Sequence, residues 1–248
     1  MEWICLAILG LCSGIISSLF GLGGGTILVP ALTLIGYDIT YAVGLSIVQM
    51  VFSSFLGSFI NYQKKLIEIQ AGILLGLGGL VGSSFSGFIL SHLSSRALYF
   101  IFLSFLCVSF YQYFLAPKIS YEQKELSLHK KTLILIIAGC FVGLFSSSLG
   151  VGGGLLLIPI CGYFLGLNSK EVAPLGLFFI CFSSLSGAFS LYHSGFIHLD
   201  KGILLACFSM LGTTFGSYFL QKISEKRHKS ILAFIYLFSI LSISSKLL

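Results

Sequence analysis

Charge placement constrains this chain more than any other feature. The 14 basic and 8 acidic residues are gathered into short clusters. Residues 3–37, 39–63, 69–95, 97–117, 132–169, 172–199, 202–221 and 230–245 therefore contain no Asp, Glu, Lys or Arg. A helix needs about 20 predominantly apolar residues to cross a bilayer. With 56% hydrophobic and 9% charged residues and a mean hydropathy of +1.03, the chain lies outside the range of soluble globular domains. The stretches are too long for the roughly 10-residue alternation of membrane barrel strands. The expected fold class is an all-α polytopic membrane protein.

Each half of the chain breaks its own apolar pattern with glycine. Gly21-Leu22-Gly23-Gly24-Gly25-Thr26 is followed by Pro30, and Gly150-Val151-Gly152-Gly153-Gly154-Leu155 by Pro159, at an offset of 129 residues. From Phe52 the halves align at an offset of 130: Phe52-Ser53-Ser54 with Phe182-Ser183-Ser184, Gly57 with Gly187, Tyr62 with Tyr192, Gly72 with Gly202 and Gly82 with Gly212. Repeats of this kind predict two homologous halves. They span residues 1–115 and 132–248, joined by the polar linker 116–131.

Apolar segments are expected at about 3–20, 26–36, 41–62, 69–91 and 97–115, and again at about 132–149, 155–166, 171–193, 202–221 and 229–246. The short second piece of each half is too short to cross alone. It either forms a re-entrant hairpin with the segment before it or completes a discontinuous helix. Cytoplasmic loops carry excess Lys and Arg. With hairpins, Lys64, Lys65, Lys118, Lys124, Lys130, Lys131, Lys170, Lys222, Lys226, Arg227 and Lys229 share one face, and Arg96, Lys201 and Lys246 the other. The discontinuous alternative divides the same charges almost evenly. The hairpin arrangement inverts the two repeats, each with three long transmembrane helices after its break. It puts the linker in the cytoplasm and both termini outside a multi-pass cell membrane protein. The Met1-Glu2-Trp3 start predicts a retained first segment rather than a cleaved signal peptide.

The net charge of +6 resides in connecting loops with few aromatic neighbours, so nucleic acid is not an expected partner. Seven scattered cysteines show no CxxC and no metal-ligand spacing. They read as small buried residues, and neither a metal nor another cofactor is expected. No His, Cys or carboxylate cluster has catalytic spacing, so an enzyme is not expected.

Inverted repeats with interrupted helices characterise secondary transporters, which bind substrate near the midplane where the repeats meet. A glycine run that opens a short helix exposes free amides at its N-terminus, which attracts anions without any charged side chain. The candidate substrate-binding residues are Gly23, Gly24, Gly25 and Thr26 in the first break and Gly152, Gly153 and Gly154 in the second. Ser46, Gln49 and Ser53 join them on one helical face, with Ser183 in the second half; Ser54, Ser184 and Ser186 are further hydroxyls there. Ser17-Ser18 and Ser146-Ser147-Ser148 precede the breaks. The competing readings are helix packing for the glycines and interhelical hydrogen bonding for the hydroxyls. Asn61, Tyr62, Tyr192 and His193 read as interfacial anchors, and His193 is placed to carry a coupling proton. The expected partners are a small anionic substrate, the lipid bilayer, and a proton or sodium ion as coupling ion; nothing in the sequence sets an oligomeric state.

The doubled GxGGG-x4-P motif, the stretches Ala42-Val43-Gly44-Leu45-Ser46 and Ala173-Pro174-Leu175-Gly176-Leu177, and the Ser54-to-Gly57 and Ser184-to-Gly187 pairs resemble the TauE/SafE family of sulfite and organosulfonate transporters over nearly the whole chain. The resemblance implies movement of sulfur-containing anions across the cytoplasmic membrane, usually outward. Members often carry a Thr-Ser pair where this chain has Leu45-Ser46 and Gly176-Leu177, which implies altered specificity and a weaker contribution from the second half. The alternative is a channel-like or structural membrane protein whose glycines only pack helices.

Overall fold

The computed structural model describes residues 2–115, 128–167 and 169–247, and among them it is all helical. The first half contains α1 (Glu2–Phe20), α2 (Gly25–Ile35), α3 (Ile39–Gln63), α4 (Ile69–Ser83), α5 (Ser86–His92) and α6 (Ser95–Phe110), which runs into a π-helical turn at Tyr111–Leu115. The second contains α7 (Leu128–Leu149), α8 (Gly154–Leu165), α9 (Ser169–His193), α10 (Leu199–Lys222) and α11 (Glu225–Ser244). Six helical stretches are long and apolar enough to span: α1, α3, α4 with α5, α7, α9 and α10. This set differs from the expected three per half after each break. Helix α6 has only 16 residues, about 24 Å of rise, and α11 spends its first turn on Glu225, Lys226, Arg227 and Lys229. The linker assigned to 116–131 falls largely outside the described residues, and its last four residues already belong to α7.

Small residues let these helices approach backbone to backbone, as membrane interfaces favour when apolar burial alone gives no drive for helices to associate. A methyl group on Gly14 of α1 would sit 2.0 Å from the Ser209 carbonyl oxygen of α10, and one on Gly10 would sit 2.8 Å from that of Leu205. Gly82 of α4 meets the Cys140 carbonyl of α7 at 1.9 Å in the same sense, and Gly139 meets that of Leu75 at 2.2 Å. Residue numbers rise together across both pairs, so α1 runs parallel to α10 and α4 to α7. Gly202 against Val48 and Gly57 against Thr213 set α3 parallel to α10. Gly72 against Phe178 and Gly76 against Phe182 set α4 parallel to α9. Between the central helices the order reverses: Gly57 meets Leu177 and Gly187 approaches Ile47, so α3 and α9 run antiparallel.

Backbone groups freed at membrane depth need partners, because lipid supplies none. At Pro30, which has no N–H, the Thr26 carbonyl one turn earlier loses its helical donor. The Ser239 hydroxyl of α11 donates to it at 2.6 Å, and Ser242 donates to the Pro30 carbonyl at 3.0 Å. Between α4 and α5, Ser190 of α9 donates to the Ser84 carbonyl at 2.7 Å and accepts from the Gly87 amide at 2.9 Å. Asp38 caps α3 by accepting from the Thr40 amide at 3.0 Å. Burial works against its ionisation, but hydrogen bonds from Thr40 and Ser95 outweigh that and hold the carboxyl below its usual range. The outer surface carries Phe55, Phe59, Phe88, Phe189, Phe215 and Phe234, all exposed and suited to acyl chains.

The cysteines depart from the expectation of burial. Cys161 and Cys181 are buried, but Cys12, Cys107 and Cys207 are exposed on the apolar surface, where a small weakly polar side chain costs little.

Ser239→Ala leaves the buried Thr26 carbonyl unpaired, which costs about 1–3 kcal/mol. The purified protein should melt at a lower temperature than wild type, while Ser245→Ala, whose hydroxyl bonds only to its own chain three residues back at Ser242, should not. Equal melting temperatures for both variants would refute the pairing.

Candidate functional site

Helix α2 runs alongside α11, with Thr26 beside Ser239 and Pro30 beside Ser242, so the glycine stretch turns the chain back between α1 and α2. Gly21, Gly23 and Gly24 have φ of 65°, 79° and 72°, and Gly150 and Gly152 have 63° and 76°. These are left-handed conformations that side chains rarely adopt. The two loops meet. An added methyl would lie 1.6 Å from the Gly150 carbonyl oxygen at Gly25, 2.1 Å from that of Gly21 at Gly154, and 1.9 Å from that of Leu22 at Gly152. Gly23 faces the Met50 sulfur, the Gly152 α-carbon and Ile180. The Ser46 hydroxyl donates to the Gly150 carbonyl at 2.6 Å. In the equivalent place Gly176 lets the Gly21 carbonyl come within 2.7 Å of where its side chain would be.

Around the first loop the environment is polar. Among the described residues, the amides of Gly23, Gly24, Gly25 and Thr26 have no hydrogen-bond acceptor, as befits the start of a helix. The Gln49 amide lies flat against Gly24: a methyl there would be 3.1 Å from both Nε2 and Oε1, and 2.8 Å from the Ser13 carbonyl. Nε2 of Gln49 donates to Ser209 at 2.9 Å and to Ser53 at 3.1 Å. Gln49, Ser53 and Ser209 are all 0% exposed. Gln49 Oε1, Thr26 Oγ1 and Ser17 Oγ are buried without partners. The two ends of an amide are assigned from their hydrogen bonds, so in either orientation one end faces Gly24 unpaired. Unsatisfied buried groups of this kind are rare, and here three of them flank one loop.

The amides of Gly152, Gly153 and Gly154 likewise have no acceptor among the described residues, but the side chains around this second loop are apolar. A methyl on Gly153 would meet the Phe179 ring at 2.2 Å and Val142 at 3.0 Å. Phe179 occupies the position equivalent to Gln49, and Val142 that of Ser13. Gly153 has φ −78°, unlike Gly24. The Ser183 hydroxyl turns back to the Ile180 carbonyl at 3.5 Å, and its own carbonyl accepts from Ser147 at 3.1 Å. Of the residues singled out from sequence, Gly24, Gln49 and Ser53 gather at one point with Gly25 and Thr26 beside them. Gly23, Gly152 and Gly154 lie where the loops touch, and Ser46 ties the loops together. Gly153 packs under Phe179, and Ser183 packs between α9 and α7.

Ser209 and Ser13 escaped sequence reasoning. Ser209 aligns with Gly79, so the repeat conceals it, and Ser13 enters through its backbone carbonyl. Asn61 differs from the anchor role expected of it: it is 0% exposed with both side-chain polar atoms unpaired, because it lies on the inner face of α3. Tyr62 and Tyr192 are exposed. His193 meets Phe189 edge to face, with ring centroids 4.5 Å apart, on the exposed surface. Ser46→Ala would leave the Gly150 carbonyl buried and unpaired, and should destabilise the protein by about 1–3 kcal/mol. An unchanged melting temperature would show that this bond does not hold the loops.

Comparison with known proteins agrees with this architecture. A probable membrane transporter protein of Methanocaldococcus jannaschii is 29% identical over 93% of this chain and 91% of its own length. The probable membrane transporter protein YunE of Bacillus subtilis is 24% identical over 91% of each, and YfcA of Escherichia coli, also a probable membrane transporter protein, is 23% identical over 89% and 81%. No solved structure matches. The family model for the sulfite exporter TauE/SafE matches residues 6–243, and the chain, a multi-pass membrane transporter with two touching glycine loops, belongs to that family.

Proposed function

We propose that the protein is a secondary transporter that exports a small sulfur-containing anion, such as sulfite, sulfoacetate or another organosulfonate, across the cytoplasmic membrane. The observation that carries this reading is the cluster of unpaired polar groups at the first loop: four free amides at the head of α2 with the buried Thr26 and Ser17 hydroxyls as donors, and the Gln49 amide, which turns its NH2 to Gly24 when flipped so that its oxygen accepts from the serines. A helix N-terminus presents about half a positive charge, and a dry site strengthens each donor. The antiparallel course of α3 and α9 supports two inverted repeats, and the charge rule, which under the hairpin arrangement assigns eleven of the fourteen Lys and Arg residues of the sequence to the cytoplasmic side, supports external termini. The full burial of Gln49, Ser46 and Ser53 fits a state closed to both sides. Opening then requires the repeats to shift about the loops, as alternating access demands. A proton or sodium gradient is the proposed energy source. For a proton, His228 is better placed than His193: it is 0% exposed, and its Nε2 lies 2.9 Å from the Leu19 carbonyl next to the first loop.

Gly24→Val and Gln49→Leu are expected to abolish saturable sulfite movement in proteoliposomes while the protein still inserts and melts cooperatively. His193→Ala should leave transport at the wild-type level. Wild-type transport in both site variants would overturn the site. A structural role for the glycines predicts no anion binding at all, so saturable binding of sulfite to the purified protein separates the two readings.

A further inference from the structure

The two glycine loops are equivalent in backbone but not in what surrounds them. The Gln49 amide covers Gly24, and the Phe179 ring covers Gly153. The Ser13 position is Val142 in the other half, Thr26 is matched by Leu155, and Ser209 by Gly79. A site with two like loops could hold one anionic group at each helix N-terminus, or spread a double charge between them. Here an aromatic ring packs on the Gly153 α-carbon at the head of α8, and the unpaired Ser17, Thr26 and Gln49 side-chain atoms all lie beside the first loop. No Lys or Arg occurs between residues 3 and 63 or between 132 and 169, so no full positive charge from these segments compensates the ligand. The cost of taking an ion out of water rises with the square of its charge, whereas one helix N-terminus offers only about half a charge.

Narrowing the transport reading above, on which this rests, we propose that the site takes a monoanion with a single anionic group held at Gly24 and Gln49. Hydrogensulfite and simple alkylsulfonates fit this class. Sulfoacetate and the sulfite dianion, both within that transport reading, are thereby removed from it, and sulfate and disulfonates are excluded as well. Phe179 sets the limit, because an apolar ring lies against Gly153 where the first loop has the Gln49 amide.

The test is uptake of labelled methanesulfonate into proteoliposomes, with unlabelled methanesulfonate, sulfate, ethane-1,2-disulfonate and methylphosphonate as competitors. Methanesulfonate should compete at least about tenfold more strongly than sulfate or the disulfonate. Methylphosphonate, which passes from monoanion to dianion near neutrality, should compete on the acid side and lose its effect on the alkaline side. Phe179→Gln should let the disulfonate compete while methanesulfonate uptake persists. If that variant fails to fold, the wild-type competition still decides. Saturable methanesulfonate uptake with equal competition by sulfate or the disulfonate would overturn the monoanion inference and leave the transport reading standing. Absence of saturable uptake for every anion would overturn both.

Discussion

Everything in this structure answers to the requirement that backbone polar groups inside a bilayer find partners within the protein. At two interruptions of the helical ladder a side chain supplies the partner: Ser239 for the carbonyl freed by Pro30, and Ser190 for both sides of the break after α4. At both glycine loops the amides leading into the following helix have no acceptor among the described residues, and the first loop adds unpaired side chains. Its amides and three neighbouring side-chain atoms are left without partners at full burial. In a medium that punishes unpaired polar groups this strongly, an unpaired cluster is the place to look for a ligand.

The glycines do two different jobs. Gly10, Gly14, Gly82 and Gly139 allow neighbouring helices to pack carbonyl against α-carbon, and Gly25, Gly152 and Gly154 do the same between the loops. Gly24 alone in the first loop faces the polar side chain of Gln49. Packing and binding are therefore not rival explanations of the motif. Close packing brings the two helix N-termini together, and binding is left to the one that keeps polar company.

The two proposed repeats share a backbone plan and differ in side chains. The contacts between α1 and α10 are repeated between α7 and α4, so the scaffold stays matched. The side chains at the crossing do not: Ser46 ties one loop by a hydroxyl where Gly176 only makes room, and Gln49 is polar where Phe179 is not.

The sequence alone determined the class of fold, because charge-free stretches of that length have no other stable form than membrane helices. It also determined the helix pairs and their breaks: α1, α2 and α3 lie within two residues of the segments expected, because glycine and charge mark their ends. It misjudged α6, whose last expected residues form a π-helical turn, and it misjudged Asn61 and the cysteines, since hydropathy does not tell an inward face from a lipid-facing one. Tertiary structure decided which residues share a site. Ser209 is 160 positions from Gln49 and reaches it only because α10 packs parallel to α3. Ser183 and the aligned Ser53 both donate to the carbonyl three residues back, but only Ser53 has a glutamine amide beside it, because Phe179 stands where Gln49 does. A repeat fixes where backbones go, but which polar atoms are satisfied depends on neighbours that are remote in the chain.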